Sequence, residues 1–350
     1  MIKTLITYAT VLIFWGCFGS SYQYFDGTLE EAKAIAGSKL IFIKFYTNTW
    51  AGCIRLDVET LRNPKIQELS NEHLISLKYN ANDKAGNEIY KQYNCQYVPH
   101  LLFLDSNGNE VDRIIGFIPP SEYLLRLNDI INQKNTLSDY LNRYKNGEIT
   151  ADIIASIATK YEDRKENNKA AEFFTILIDK FPDPTSELYK SGKFFLASHK
   201  FDNGNDNALR DYIKNNENSN FIYSAYRKMA HHYANTENLD KEIKTYNEMV
   251  LQFSDKPDAL NSYAWRMAEI ETNLEDALDK VRRAIMLTAD NPKQQANIID
   301  TEAEVLWKMK RYDDAIESIN KAISIDPNSE YFKDQKIKFI DSKKGNDQPA

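Results

Sequence analysis

Cysteine and concentrated positive charge are both scarce in this 350-residue sequence. Of its three cysteines, Cys17 falls in an amino-terminal apolar run, which leaves Cys53 and Cys95 for the rest of the chain. Two cysteines are enough for one disulfide bond but far too few for a disulfide-rich scaffold. The formal net charge is −7, with acidic and basic residues mixed along the chain. Because no basic stripe is present, we expect no nucleic-acid partner.

The amino-terminal apolar run, Leu5–Phe18, is shorter than the roughly 20 residues that a membrane-spanning helix requires. Lys3 is the only charge before it, and small residues follow at Gly19 and Ser20. This order is typical of a secretory signal. We therefore predict a signal peptide over residues 1–20 and export of the protein, with the bacterial periplasm as its destination.

Lipidation of Cys17 is the alternative route of processing. The small residue before it, Gly16, fits this route, whereas the bulky Phe14 and Trp15 do not. Under this alternative the protein would be anchored to the envelope through a lipid. Without it we expect no membrane association.

The first third of the chain alternates between helix and strand patterns. Thr28 and Glu31 form a capping box that predicts a helix start, and the apolar run Leu40–Tyr46 predicts a central strand buried on both faces. Pro64 marks another helix start, and Asn107-Gly108 predicts a hairpin turn with positive φ angles at both residues. The order of the elements predicts an α/β fold, a mixed sheet with helices on both faces.

After about Asn135 the patterns indicate helices alone, and these helices repeat. Small and aromatic residues recur around anchor positions that lie 34 to 38 residues apart. The anchors are Ala170, Ala208, Glu242, Ala277 and Ala315. This period is typical of antiparallel helix pairs that stack into a solenoid. We expect the anchors to form the core between helices and the concave face of the array to bind a partner.

This region resembles tetratricopeptide repeats over roughly residues 150–340. The last repeat carries the resemblance most clearly, through Ala303, Leu306, Tyr312, Ala315, Ile319, Ala322 and Pro327. We assign the helical repeats to residues 136–341 and predict a disordered tail at 342–350. The pair His231-His232 does not predict a metal site, because neighbours on a helix point about 100° apart.

The first domain, residues 21–135, resembles the thioredoxin superfamily through "LIFIKFYTNTWAGCIRLD" and "YNCQYVPHLLFLD". In that family a strand leads into W-C-x-x-C at a helix start, where the first cysteine attacks and the second resolves the mixed disulfide. Alignment on "LDVETLRNP" places Cys53 at the second position and Trp50 at the first. Because an indole cannot form a disulfide, the resemblance implies that dithiol exchange within this motif is lost.

A second departure from the family lies at Lys44, six residues before Trp50. The family commonly has a buried acid here that accepts the proton of the resolving thiol, and lysine is a poor proton acceptor. A nearby cation would instead favour a Cys53 thiolate. In an alternative register Cys53 is the nucleophile and Leu56 takes the second cysteine's place, which gives a monothiol site. A disulfide between Cys53 and Cys95 is a further alternative.

The other part of the family's site is retained at Val98-Pro99, which matches a cis-proline facing the motif. In the family the backbone before this proline pairs with an extended peptide, as an added strand does. The resemblance therefore implies an apolar peptide groove without a nucleophile, lined by Trp50, Ala51, Val98, Pro99 and His100. We expect Trp50 to be partly exposed; the alternative is that its indole packs inward.

Together these patterns predict an exported interaction protein that binds a protein or an extended peptide, without a cofactor or a metal ion. The alternative is an enzyme, a monothiol exchanger or isomerase, in which Lys44 holds the pKa of the Cys53 thiol below its ordinary value of roughly 8.5. A third interpretation is a passive scaffold whose groove is filled by the chain itself.

Overall fold

The computed structural model describes residues 22–346, so the predicted signal peptide, Cys17 and residues 347–350 lie outside the described chain. The chain divides after His199 into two compact units. We call residues 22–199 the first unit and residues 200–346 the second unit, and each is described by itself. The predicted domain boundary between residues 135 and 136 marks the change from alternating helices and strands to helices alone, and it lies within the first unit.

The first unit combines a sheet with helices. Its strands are β1 Leu40–Tyr46, β2 Leu74–Asn80, β3 His100–Leu104 and β4 Glu110–Ile115. Its helices are α1 Leu29–Ile35, α2 Ala51–Arg55, α3 Pro64–His73, α4 Lys84–Gln92, α5 Pro120–Ile131, α6 Leu137–Lys145, α7 Ala151–Asp163 and α8 Asn167–Lys180. Helix α2 continues directly into a π-helical turn at Leu56–Thr60, and α9 (Glu187–Asp202) crosses the division.

The sheet has the strand order β2-β1-β3-β4. Strand β1 pairs in parallel with β2 and antiparallel with β3, and β3 pairs antiparallel with β4. Phe42 packs into the core on one face of the sheet, while Ile41 and Ile43 pack into the core on the other. A strand buried on both faces is apolar throughout, which is why Leu40–Tyr46 shows no polar alternation. The predicted mixed sheet with helices on both faces is confirmed.

Local signals set the ends of several elements. The backbone N–H of Glu31 donates to the Thr28 hydroxyl at 3.2 Å, and that of Thr28 donates to the Glu31 carboxylate at 2.8 Å, so the predicted capping box is present. Pro64 opens α3 as predicted, with the Asn63 side chain as its cap. Gly86 in α4 allows a close approach to β2, because a Cβ there would lie 2.1 Å from the Asn80 carbonyl oxygen.

The hairpin between β3 and β4 lies at the predicted position, but its turn is not of the predicted type. Gly108 has a φ of +84°, whereas Asn107 is not among the described residues with positive φ. The Asp105 carboxylate accepts hydrogen bonds from the N–H groups of Asn107 and Asn109, at 2.9 and 2.8 Å. This side-chain turn lengthens the loop, so that one glycine in the left-handed region is enough to close it.

The carboxyl end of α7 reaches β4, the edge strand of the sheet. Asp112 and Arg113 are neighbours on β4 and so point to opposite faces of the sheet. Both are nonetheless bonded to α7. The Lys160 ammonium donates to the Asp112 carboxylate at 2.7 Å, and the Arg113 guanidinium donates to the Asp163 carbonyl at 3.0 Å. The last turn of α7 therefore lies beside this strand.

The second unit is helical throughout its described residues. Its helices are α10 Ala208–Asn215, α11 Ile222–Asn235, α12 Leu239–Gln252, α13 Pro257–Glu269, α14 Leu274–Leu287, α15 Pro292–Lys308, α16 Tyr312–Ile325 and α17 Glu330–Asn346. The predicted anchors are buried between them, with Ala208, Glu242, Ala277 and Ala315 at most 8% exposed. The predicted all-helical repeat architecture is confirmed.

The disordered tail predicted at 342–350 starts too early, because α17 continues to Asn346. Two lysines in its last turn, Lys343 and Lys344, favour this extension, since cations stabilise the carboxyl end of a helix. Lys343 also pairs with Asp313 in α16. Among residues 22–346, no helix combines the length and the apolar character that crossing a membrane would take.

Candidate functional site

Trp50 stands at the start of α2, where the resemblance places the lost cysteine. Its backbone is extended, with φ −80° and ψ 118°, and its carbonyl accepts the first helical hydrogen bonds, from the N–H groups of Cys53 and Ile54 at 3.0 and 3.3 Å. No side chain caps this end of the helix. The indole is 60% exposed, so the expectation of a partly exposed Trp50 is confirmed.

Cys53 lies one turn further and is only 2% exposed. Burial raises the pKa of its thiol above the ordinary value, while a hydrogen bond with the Thr47 backbone and the charge of Lys44 act in the opposite direction. The alternative of a monothiol enzyme predicts a lowered pKa, which is the opposite of what burial produces here. A protonated, buried thiol is a poor nucleophile because the thiolate is the attacking species.

Lys44 is 3% exposed on β1, so the lysine predicted at the family's buried acid is itself buried. Its ammonium forms an ion pair with Asp57 and lies 5.1 Å from the centre of the Tyr46 ring. Its charge acts on the Cys53 pKa in the predicted direction, but it does not outweigh the burial of the thiol.

The Val98-Pro99 peptide bond is cis, as the resemblance implied. Tyr97, just before it, has a φ of +56° and a side chain that is 76% exposed. The Pro99 carbonyl accepts a hydrogen bond from the Gly116 N–H at 2.8 Å, and the Tyr97 carbonyl accepts one from the Tyr90 hydroxyl at 3.0 Å. Within residues 22–346, the N–H and C=O of Val98 have no hydrogen-bond partner.

Gly52 brings the indole and the proline together. A Cβ on Gly52 would lie 3.0 Å from Nε1 of Trp50 and 3.4 Å from Cδ of Pro99, so both side chains border this glycine. The exposed and half-buried apolar side chains of the helix start and of the loop before Pro99 form what we call the Trp50 surface. Its members are Trp50, Ile54, Val58, Tyr97 and Val98.

His100 does not line this surface, which corrects the prediction. Its side chain is fully buried because β3 begins there, opposite Phe45 of the central strand. The ring meets Phe45 and Tyr90 edge-on, at centroid distances of 6.4 and 6.2 Å. Its Nδ1 is 2.9 Å from the Gln96 carbonyl oxygen, and burial lowers its pKa to about 4. The imidazole is therefore neutral at pH 7.

The other predicted site residues are divided between surface and core. Ala51 is exposed, Val98 is half-buried and Pro99 is buried beneath them. Tyr97, Ile54 and Val58 were not among the predicted site residues, although they are 76%, 52% and 47% exposed. Ile54 follows Trp50 by four residues, and this helical spacing was the available signal for a continuous apolar face. No comparable sequence signal marks Tyr97.

Cys53 and Cys95 are both free and buried, so the alternative disulfide is not formed. Burial raises the pKa of Cys95 to about 12. Across residues 22–346, no cluster of three or more histidine, cysteine, aspartate or glutamate side chains is placed to hold a metal ion.

Comparison with known proteins identifies the domain that carries this site. The family model for a thioredoxin-like domain matches residues 26–131. The thiol:disulfide interchange protein DsbD of Tatumella citrea is 28% identical over 102 residues, and that of Haemophilus ducreyi is 25% identical over 103 residues. The two matches cover 28% and 29% of this chain. Each covers 18% of the relative, so the chain spans under a fifth of the length of these proteins.

Solved structures are similar to each part of the chain. A thioredoxin from Thermus thermophilus is 22% identical, with a TM-score of 0.29, over 32% of this chain and 87% of that one. The carboxyl-terminal part of a TPR repeat-containing protein from Cytophaga hutchinsonii is 11% identical, with a TM-score of 0.44, over 61% of this chain and 83% of that one. The family model identifies a thioredoxin-like domain at residues 26–131, and the described chain continues after it in helices alone.

Proposed function

We propose that this protein is exported and binds proteins or extended peptides, with a thioredoxin-like domain that no longer carries out dithiol exchange. The observation that carries the proposal is the reversal of exposure at the start of α2. Trp50 is 60% exposed where an attacking sulfur would be needed, while the thiol of Cys53 is 2% exposed. The motif has one thiol, which is buried, and no second thiol with which to form and break a disulfide.

The Trp50 surface is suited to an extended apolar peptide. Trp50 and Tyr97 supply large side chains at a low cost in conformational entropy. The free N–H and C=O of Val98 supply one donor and one acceptor to a passing backbone, which is the pairing an added strand makes. Trp50 and Ile54, one helical turn apart, and Tyr97 each leave more than half of their surface to solvent, and a patch of exposed apolar side chains is a common mark of an interaction site.

The loss of exchange is tested with the full chain in an insulin-reduction assay. We expect no turnover by the natural protein or by Cys53→Ala, and slow alkylation of Cys53 compared with the urea-unfolded chain. Trp50→Cys is the matched control because it restores the C-x-x-C spacing, and we expect it to form a disulfide with Cys53. Turnover by the natural protein that disappears in Cys53→Ala would overturn the proposal.

Peptide binding is tested with carboxymethylated insulin B chain as the probe, by isothermal titration. We expect Trp50→Ala to weaken its binding by about tenfold, a typical loss for a central aromatic contact. Leu251→Ala is the control, because Leu251 is also an exposed apolar side chain, at 83%, but lies in the second unit. Equal effects of the two substitutions would show that the Trp50 surface is not the site.

The second candidate function is monothiol exchange by Cys53. The similarity of about a hundred residues to thiol:disulfide interchange proteins favours it, as does the Lys44 charge acting on the thiol. In this case Cys53 would react with iodoacetamide in the folded protein at least as fast as a free cysteine. The alkylation experiment therefore separates the two candidates without a substrate.

A further inference from the structure

The residue nine positions after each repeat anchor differs in character from one repeat to the next. All five residues at this position are exposed, and in chain order they are Asp179, Glu217, Leu251, Met286 and Ser324. Three repeats thus have a polar residue here, as is usual for the solvent-facing side of a helix. The two consecutive repeats that contain α12 and α14 have a leucine and a methionine instead, which are 83% and 71% exposed. The repeat architecture therefore does not by itself account for these two apolar side chains.

A groove of about 360 Å³ lies between α12 and α14, beside Leu251. Val250 and Leu260, which are 5% and 0% exposed, supply apolar lining. On the α14 side, Asp276 and Lys280 pair with each other at 2.7 Å, so together they add no net charge. The groove leaves room for apolar side chains from a facing surface, and a flexible side chain such as methionine adapts well to an irregular gap.

Two charged side chains flank the apolar pair. Arg283, which also lines the groove, lies three residues before Met286 on α14. Asp255 lies four residues after Leu251, just past the end of α12. Both are exposed, and neither forms an ion pair with any residue of the described range 22–346. We call Leu251, Asp255, Arg283 and Met286 together the Leu251 surface.

The Leu251 surface is complementary to itself under two-fold symmetry. Helices joined by short connections pack antiparallel, so α12 and α14, with α13 between them in the chain, run in the same direction. Leu251 and Met286 lie at the same level of these two helices, and a two-fold axis midway between them and perpendicular to this face exchanges their positions.

The same axis also matches the two charges. At about 1.5 Å per residue, Arg283 lies roughly 4–5 Å before the level of the apolar pair and Asp255 roughly 6 Å after it. The rotation therefore places Arg283 of one copy opposite Asp255 of the other, and it repeats this pair on the other side of the axis. A surface that binds a copy of itself must match in this way, whereas a different partner makes no such demand.

We propose that the Leu251 surface binds a second copy of this chain, in a two-fold dimer with Leu251 and Met286 at its centre and an Arg283–Asp255 ion pair on each side. The two helices have 14 residues each. Helices of this length and diameter offer a face of roughly 20 by 20 Å, or about 400 Å² per copy. This is half of the roughly 800 Å² per partner that stable complexes bury, so the dimer is weak and reversible. The Trp50 surface lies in the first unit and takes no part in it.

Sedimentation equilibrium of the full chain over a range of concentrations measures the dimer dissociation constant. We expect Arg283→Glu to weaken dimerisation by at least about tenfold, because it brings two like-charged pairs into one interface, and Asp255→Arg to do the same. The double variant Arg283→Glu, Asp255→Arg exchanges the signs of both pairs and should restore most of the affinity. Arg227→Glu is the matched control. Arg227 is also exposed and has no ion pair within residues 22–346, but it lies on α11.

The apolar centre is tested by Leu251→Ser and Met286→Ser, which introduce the residue that the last repeat has at this position. We expect each substitution to weaken the dimer by about tenfold, as is typical for an apolar contact at the centre of an interface. Leu125→Ser is the control, because Leu125 is 69% exposed but belongs to α5 of the first unit. Circular dichroism shows whether each variant keeps its helices.

A natural protein that stays monomeric up to about 1 mM would overturn the inference, since that concentration is far above the range of specific association. A dimer that Arg283→Glu and Arg227→Glu weaken equally, or that the double variant fails to restore, would lie on a different surface and would overturn it as well. Peptide binding by the Trp50 surface is measured on Arg283→Glu in parallel, so the failure of either proposal is seen separately from the other.

Discussion

At the scale of a residue, His100 links the candidate site to pH. Burial lowers its pKa to about 4 in the folded protein, whereas an unfolded chain has a histidine pKa of about 6.5. Between these values the unfolded chain binds a proton that the folded protein does not. The stability that His100 contributes is therefore complete above pH 6.5 and is lost as the pH falls towards 4.

We predict that acidification from pH 6.5 to 4 costs the first unit about 3 kcal/mol through His100 alone, which corresponds to about 1.4 kcal/mol per pH unit. Urea unfolding at a series of pH values measures this slope. His100→Gln is the control, because it keeps a polar side chain that does not titrate. Identical slopes for the two proteins would mean that His100 is already protonated, or is not buried.

The sequence predicts those features of the site that belong to the family's motif, but not those that depend on contacts between distant parts of the chain. The exposed Trp50, the cis bond before Pro99 and the charge of Lys44 follow from the alignment of the motif. The burial of His100 does not, because it depends on strand pairing with Phe45, which is 55 positions away along the chain. The sequence also left open whether the pKa of Cys53 is raised or lowered. Burial raises it and the Lys44 charge lowers it, and only the three-dimensional structure shows which effect is larger.

At the scale of an element, α7 is fixed to the sheet edge by buried charge. Asp112 is 1% exposed as a side chain and accepts hydrogen bonds from Lys160 of α7 and from Arg126 of α5, each at 2.7 Å. A buried carboxylate with two cations is stable only while both partners stay in place. The contact therefore connects the thioredoxin-like sheet to the first repeat helices.

We predict that Asp112→Ala destabilises the first unit by about 3–5 kcal/mol, because it leaves Lys160 buried without its counter-charge. The double variant Asp112→Ala, Lys160→Met should recover a large part of this loss. Urea unfolding followed by circular dichroism measures both variants. Glu317→Ala, which breaks an exposed pair with Lys321, should leave stability unchanged.

The single variant Lys160→Met completes the comparison. If the losses of the two single variants simply added up in the double variant, Asp112 and Lys160 would not be a coupled pair.

Elements defined by local signals were predicted well. The capping box at Thr28, the proline at α3 and the apolar run of β1 each depend on neighbours within a few residues. The hairpin turn was mistaken because Asp105 adds a side-chain turn that the dipeptide Asn107-Gly108 does not reveal. The Asp112–Lys160 pair joins positions 48 residues apart, and periodicity assigns such charged side chains to solvent.

At the scale of the whole molecule, each unit contains a buried group whose pKa is shifted, and the two shifts affect stability with opposite signs. Burial raises the pKa of Asp300 in α15 to about 6, from an ordinary 3.8. The Tyr331 hydroxyl of α17 donates to its carboxylate at 3.2 Å and lowers the pKa, while the charges of Glu304 and Lys338 act on it in opposite directions. Between pH 4 and 6 the Asp300 carboxyl is ionised in the unfolded chain but still holds its proton in the folded protein. Asp300 therefore destabilises the second unit as the pH rises towards 6.

We predict a loss of about 3 kcal/mol in the second unit between pH 4 and 6, while the first unit gains stability over the same range. Amide hydrogen exchange, corrected for its intrinsic pH dependence, measures both units in one sample. Peptides from α15 and α17 should lose protection as those from β3 gain it. Asp300→Asn should remove the first change and leave the second.

Parallel changes in both units would rule out Asp300 and His100 as the dominant groups.

The position of α7 beside β4 has a further consequence for fragments of this protein. A strand at the margin of a sheet offers unpaired N–H and C=O groups to any other chain, and proteins avoid this by covering such strands. A fragment that stops at residue 135 would lack this cover and would also leave Asp112 without Lys160. Intermolecular strand pairing would then lower its solubility in addition to any loss of stability, so studies of the thioredoxin-like domain in isolation should retain residues through Asp163.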